Sequence, residues 1–128
     1  MLPRRLVLLP LLPLALLALA RLPLALPATA ADPMRAIASS PTPQSVIEGR
    51  NEEFFVRFDR PVDHNLSRLI LAQGDQVVRV LQPRLRARPD TLYAVAGNLP
   101  AGDYMLRWVA RSMGGENSEG QIAFRVQP

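Results

Sequence analysis

The chain has 128 residues, with 15 basic and 11 acidic side chains, one histidine and no cysteine. The absence of cysteine excludes a disulfide framework, a catalytic thiol and a thiolate metal site. The formal net charge of +4 comes from arginines scattered along the sequence, which does not indicate nucleic-acid binding.

The first thirty residues have the three parts of a secretory signal peptide, which are a basic start (MLPRR), an apolar run (LVLLPLLPLALLALA) and a small-residue site (ALPATAAD). Cleavage is expected after Ala30 or Ala31, and removal of residues 1–30 lowers the net charge from +4 to +1. An uncleaved anchor is the alternative, but the apolar run is short for a membrane span and contains two prolines. The sequence therefore predicts export to the periplasm, with residues 31–128 as one domain.

Residues 31–128 contain short runs of alternating apolar and polar residues, separated by glycine, proline, asparagine and aspartate. They show no helical period, so the pattern predicts an all-β domain. The Gly74–Asp75 pair predicts a two-residue hairpin turn. Seven short strands indicate an immunoglobulin-like antiparallel β-sandwich. The predicted strands span residues 34–40, 53–59, 67–73, 76–81, 91–96, 103–112 and 121–127.

Two aromatic residues of the strand at 103–112 favour a sandwich over a barrel. Trp108 shares the predicted inward face of the strand with Leu106 and Ala110, so we expect it to be buried between the sheets. Tyr104 begins the strand after the turn LPAGD, which is the position of a tyrosine corner. Both residues are expected to have structural roles.

Three stretches of the sequence resemble the CopC-like periplasmic copper-resistance proteins, which are small secreted β-sandwiches that bind and carry copper. The stretches are ASSP at residues 38–41, FFVRFDRPVD at 54–63 and LPAGDYMLRWVARSMGGENSEGQIAFRV at 99–126, and the last is the most specific. The resemblance implies a periplasmic location, a role in copper resistance and a copper-transport membrane protein as a partner.

The resemblance also implies where copper would bind. In the family, copper(II) is held by an N-terminal histidine and by the Asp and His of an Asp-Gly-His loop. Aligned on Ser112 and Gly115, these loop positions hold Gly114 and Glu116, and the N-terminal histidine position falls near Pro33. Because copper(II) prefers imidazole and amine nitrogen, the resemblance implies a degenerate site with weak or absent copper binding.

Three residues remain as candidate copper ligands. The Asp32 carboxylate, a free amine at Ala31 or Asp32, and Glu116 would form a rebuilt site if they converge. His64, the single histidine, follows the second predicted strand in a loop with Asp63. The alternative for Glu116 and His64 is a solvated loop side chain.

The methionines raise the question of copper(I), which thioethers favour. Met34 and Met113 flank the region of the expected site, and Met105 lies in the strand between them. Packing is the alternative role for all three, because methionine fills irregular gaps.

An enzymatic function is not expected. The sequence lacks a second histidine for a Ser-His-Asp set, a phosphate-binding glycine motif and carboxylates paired by spacing. Neither a nucleic acid nor a small-molecule substrate is therefore predicted. Two hypotheses remain: a periplasmic, CopC-like copper-binding and copper-resistance protein with a degenerate site, or a metal-free immunoglobulin-like module that docks to a membrane or periplasmic partner.

Overall fold

Eight β-strands make up the regular structure in the computed structural model, which describes Pro3 and residues 32–128. The predicted cleavage site and all of the predicted signal peptide except Pro3 lie outside the described residues. None of the described residues forms a helix of the length and hydrophobicity that crossing a bilayer requires. The strands are β1 (Ala36–Ser40), β2 (Ser45–Ile47), β3 (Glu52–Phe58), β4 (Arg68–Gln73), β5 (Gln76–Leu81), β6 (Thr91–Gly97), β7 (Gly102–Arg111) and β8 (Asn117–Val126).

The strands form two sheets, which confirms the predicted β-sandwich. One sheet has three strands in the order β1-β3-β6, and the other has five in the order β2-β8-β7-β4-β5. The sequence pattern predicted seven strands and missed β2, because a strand of three residues is too short to show an alternation. β2 pairs parallel with β8, whereas every other pairing is antiparallel.

The predicted hairpin at Gly74–Asp75 is confirmed. β4 and β5 pair as far as Gln73 and Gln76, which leaves the two residues between them as the turn. Gly74 has a φ of 57°, a left-handed conformation that glycine adopts without steric cost.

The core lies between the two sheets and follows the pleat of the longer strands. Phe54 of β3 meets Phe124 of β8 edge to face, with ring centroids 5.3 Å apart. Tyr104 of β7 stacks on Phe124, with ring centroids 5.5 Å apart. Other fully enclosed side chains include Val56, Phe58, Leu69, Leu71, Leu92 and Leu106.

The tyrosine corner forms as the sequence predicts. Tyr104 is 2% exposed, and its hydroxyl donates a hydrogen bond of 2.6 Å to the main-chain carbonyl of Pro100. The turn before β7 is thereby joined to the strand itself, and the phenol hydroxyl is not left unpaired in the core.

The expectation that Trp108 is buried between the sheets is wrong. Its ring is only partly buried and lines a cleft beside β1. One edge packs against Phe58, with ring centroids 6.5 Å apart, and its indole N–H donates to Ser118 Oγ at 3.3 Å. The ring also lies over Gly120, where any Cβ would overlap it. Trp108 therefore closes the margin of the sandwich instead of filling its centre.

Candidate functional site

The β7–β8 loop, residues 112–116, lies against the β3–β4 loop, residues 59–67. The main-chain N–H of Met113 donates to the carbonyl of Pro61 at 3.0 Å, and that of Asp63 donates to the carbonyl of Arg111 at 2.7 Å. Val62 and Ser112 form an isolated β-bridge between the same loops. The region in which the resemblance places a copper site is thus held by main-chain hydrogen bonds.

Ser112 organises the β7–β8 loop from within. Its hydroxyl accepts hydrogen bonds from the main-chain N–H groups of Gly114, at 3.1 Å, and Glu116, at 3.0 Å. The same hydroxyl donates to the Glu116 carboxylate. Gly115 turns the loop with a φ of 94°, a conformation that favours glycine.

The Glu116 carboxylate folds back over Gly114. A Cβ added at residue 114 would lie 2.7 Å from Glu116 Oε2, which is closer than real Cβ contacts. The two positions are therefore in contact, and a side chain at residue 114 would displace the Glu116 carboxylate from its observed orientation.

Arg60 occupies the space between this loop and the N-terminal segment. Its Nη1 donates to Glu116 Oε1 at 3.2 Å and to the Asp32 carbonyl at 2.9 Å. Its Nη2 lies 3.5 Å from the Pro33 carbonyl, to which it donates. Nε and Nη2 also bind both oxygens of Asp59, at 3.0 and 3.3 Å. One guanidinium thus joins residues 32–33 to the β7–β8 loop.

These contacts keep the carboxylates ionised. The pKa of Glu116 lies below its ordinary value because it accepts hydrogen bonds from the Ser112 hydroxyl and a main-chain N–H, with a further contribution from the charge of Arg60. The pKa of Asp59 is lowered mainly by its hydrogen bonds from Arg60, and also by the N–H of Arg35. The pKa of Arg60 is raised, first by Asp59. At neutral pH the site is a network of two anions and one cation.

The structure brings two of the three candidate ligands to one place. Asp32 and Glu116 both bind Nη1 of Arg60, although Asp32 does so through its main-chain carbonyl. His64 lies partly exposed in a turn of the β3–β4 loop. No hydrogen bond or ion pair among the described residues links it to Asp32 or Glu116, and no group of three or more His, Cys, Asp or Glu side chains in residues 32–128 is arranged to hold a metal.

The residues at this site do not fit copper(II). The one carboxylate of the β7–β8 loop is already bound by a guanidinium and a hydroxyl. Arg60 has no lone pair to offer a metal, because its guanidinium stays protonated. Copper(II) favours nitrogen ligands, and none of the side chains bound in this network is an imidazole.

Arg60 is the residue that sequence reasoning missed. It lies within the stretch FFVRFDRPVD that supports the resemblance, directly after the second predicted strand. Its pairing with Glu116 spans 56 positions of sequence, so no local pattern indicates it.

The methionines have different surroundings. Met34 is 2% exposed and belongs to the core, whereas the Met113 side chain is 68% exposed. Met105 is partly buried in β7. The core position of Met34 agrees with the packing alternative.

Comparison with known proteins identifies the domain. The family model of the CopC domain matches residues 36–127. The fold is similar to CopC from Methylosinus trichosporium OB3b, with a TM-score of 0.68 and 22% identity over 74% of this chain and 94% of that one. It is also similar to PcoC, a methionine-rich copper resistance protein from Escherichia coli, with a TM-score of 0.63 and 20% identity over 74% of this chain and 99% of that one. No curated protein sequence matches the chain significantly. Because the family model covers most of residues 32–128, this chain belongs to the CopC family.

Proposed function

We propose that this protein is an exported, non-enzymatic member of the CopC family that acts in copper resistance with a degenerate site and binds copper(II) weakly or not at all. Family membership and the similarity to a copper resistance protein support the general role. The basic, apolar and small-residue regions at the start of the sequence support a periplasmic location.

The observation that carries the proposal is the position of Arg60. Its guanidinium binds the Glu116 carboxylate and the Asp32 carbonyl, the two places from which the family's ligands would approach the metal. A copper(II) ion bound there would have to displace this guanidinium and separate it from Glu116. A single carboxylate would then remain in the loop, which is a weak and unselective ligand for copper(II).

The alternative function is a metal-free module that docks to a partner in the periplasm. The observation that favours it is the edge strand β5, where Val77, Val78 and Val80 are each more than 40% exposed. Within the described sheets β5 pairs only with β4, so its second edge is available for strand addition.

Metal titration distinguishes the two functions. The processed protein is titrated with copper(II) and, separately, copper(I) against competing chelators of known affinity. Weak or absent copper(II) binding, without a nitrogen-rich paramagnetic spectrum, is the expected result. Tight, nitrogen-rich copper(II) binding by the parent would overturn the degenerate site and direct attention to His64 and the N-terminal amine. The absence of binding in both oxidation states would favour the docking module.

Processing is tested by the mass of the exported protein. We expect a protein that lacks residues 1–30 or 1–31. A mass that includes Met1 to Ala30 would show an uncleaved anchor instead, and the amine of a rebuilt site would then not exist.

A further inference from the structure

A short arginine-rich segment lies on the protein surface beside the three-stranded sheet. This arginine segment, residues 84–88 with the sequence RLRAR, lies between two prolines, and all five of its residues are exposed. The Leu85 side chain is 64% exposed. The main-chain N–H of Arg84 donates to the carbonyl of Tyr93 in β6 at 2.7 Å, which holds the segment against the edge of the sheet.

Side chains attach the arginine segment to the outer face of this sheet as well. The Arg86 guanidinium lies over the ring of Tyr93, 5.1 Å from its centroid, and forms an ion pair of 2.5 Å with Glu53. Tyr93 is paired across the strands with Phe55, with ring centroids 6.1 Å apart. The segment is thus held in place over a pair of half-buried aromatic rings.

The face has an excess of positive charge. Arg57 of β3 and Arg88 of the segment share one carboxylate, that of Asp90, at 3.3 and 3.0 Å. Glu53 balances Arg86, and the described residues give Arg84 no ion pair. Four arginines therefore face two carboxylates, and an exposed leucine stands among the uncompensated charge.

We propose that the arginine segment and the outer face of the three-stranded sheet dock the domain onto an anionic phospholipid surface. Arginines bind lipid phosphates, and an exposed leucine enters the acyl boundary. This interaction goes beyond the proposed function in copper resistance and does not depend on it.

The same face fits nucleic acid less well. Bases bind to open aromatic rings, but the face of Tyr93 is already covered by Arg86. A phosphate backbone also offers no apolar contact to Leu85. A lipid surface is the partner that uses the charge and the leucine together.

The test uses a fluorescent label at the segment, since the chain has no cysteine of its own. Ala87→Cys carries an environment-sensitive fluorophore, and Ala123→Cys, exposed on β8 of the other sheet, is the matched control. Vesicles of equal phosphatidylglycerol and phosphatidylcholine should shift the emission of the label at residue 87 to shorter wavelength. Pure phosphatidylcholine should not, and the label at residue 123 should respond to neither.

Two charge variants with equal loss of charge sharpen the test. Arg84→Gln with Arg86→Gln should weaken partitioning into anionic vesicles by roughly 25-fold, because each arginine near such a surface contributes about fivefold. Arg50→Gln with Arg68→Gln removes the same charge outside the segment and should change it by less than about twofold. Thermal melting of each variant checks that the fold is intact.

Three results would overturn the proposal. They are the absence of a label shift with anionic vesicles, an equal shift at residues 87 and 123, and an equal loss of binding in the two charge variants. An oligonucleotide or an acidic polymer that shifts the label when vesicles do not would identify a different partner and would also overturn it.

Discussion

The two ends of β7 are built by different interactions. At its start, Tyr104 is buried and donates to the Pro100 carbonyl. At its end, the β7–β8 loop is fixed by the Ser112 hydroxyl and by the partly exposed ion pair of Arg60 with Glu116, whose side chains are 26% and 28% exposed. One end depends on burial and the other on polar contacts near solvent.

This difference between the two ends of β7 explains how the residues of the site could change while the β-sandwich is kept. Replacing a buried side chain removes apolar contact area and leaves a cavity, so the start of β7 tolerates little change. Partly exposed ion pairs contribute little to stability. At the other end, the proposed replacement of a copper site by the ion pair of Arg60 with Glu116 would therefore leave the path of the strand unchanged.

The largest expected effect is recovery of copper(II) binding at the end of β7, beside the β7–β8 loop. Gly114→Asp, Glu116→His and a histidine at the processed N-terminus restore the ligand types, and Arg60→Ala removes the competing cation. We expect this combination to bind copper(II) at least roughly 100-fold more tightly than the parent, because restoring the ligands themselves should have a larger effect than changing the residues that support them. Competition titration and paramagnetic resonance measure it.

The matched control keeps Arg60 and changes only the ligands. It should bind copper(II) more weakly than the combination, because the guanidinium repels a second cation and pairs with the new aspartate. Equal affinity in the two variants would show that Arg60 does not occupy the copper position.

A second prediction concerns the middle of β7, where burial differs between neighbours on one face. Leu106 is fully buried, so Leu106→Ala should lower the free energy of unfolding by about 2–5 kcal/mol. Trp108 is only partly buried, so Trp108→Ala should cost less than the ~3–5 kcal/mol of a buried tryptophan. Urea denaturation measures both, and a larger loss at Trp108 than at Leu106 would contradict this account of the core.

A smaller effect is expected at the start of β7, where Tyr104 is buried. Tyr104→Phe keeps the ring on Phe124 but removes the hydrogen bond to Pro100. The loss should be about 1 kcal/mol, or roughly 4–8 °C in Tm for a domain of this size. Tyr93→Phe is a control in which a partly exposed hydroxyl is removed instead, and it should change Tm less.

The smallest effect is a pH dependence of Tm that arises from the carboxylates at the end of β7. The pKa values of Glu116 and Asp59 lie below their ordinary values of 4.5 and 3.8. Their ionised contacts therefore contribute fully above those values, and the contribution is lost as the pH falls through the lowered pKa values. The Tm of the parent should fall more steeply from about pH 5 to about pH 3 than that of Arg60→Gln. Parallel curves would show that the network has no measurable effect on stability.

Most of the fold could be predicted from the sequence, because alternation and turn residues are local signals. The Gly74–Asp75 turn and the Tyr104 corner each depend on a few neighbouring residues. The degree of burial of Trp108 depends on how far β1 covers it from another sheet, which no alternation along β7 records. β2 is formed by pairing with β8, a partner far away in sequence.

Less of the candidate site could be predicted. The resemblance indicated Gly114 and Glu116 as positions of interest, but the contact between residue 114 and the Glu116 carboxylate depends on the conformation of the loop. Arg60 reaches Asp32 and Glu116 across 28 and 56 positions. The surface arginines are scattered along the sequence for the same reason, since Arg57 joins the arginine segment only when β3 and β6 pair.

The contact of Arg60 with the Asp32 carbonyl also determines where a fused protein would lie relative to the site. It holds Asp32 beside Glu116, whereas β8 carries the chain to Pro128 at the opposite end, where Val126 pairs with Gly102. These ends are about 33 Å apart, the length of a ten-residue strand. A reporter fused after Pro128 would leave the site open, one fused directly before Asp32 would crowd it, and a circular permutant would need a linker of about ten extended residues.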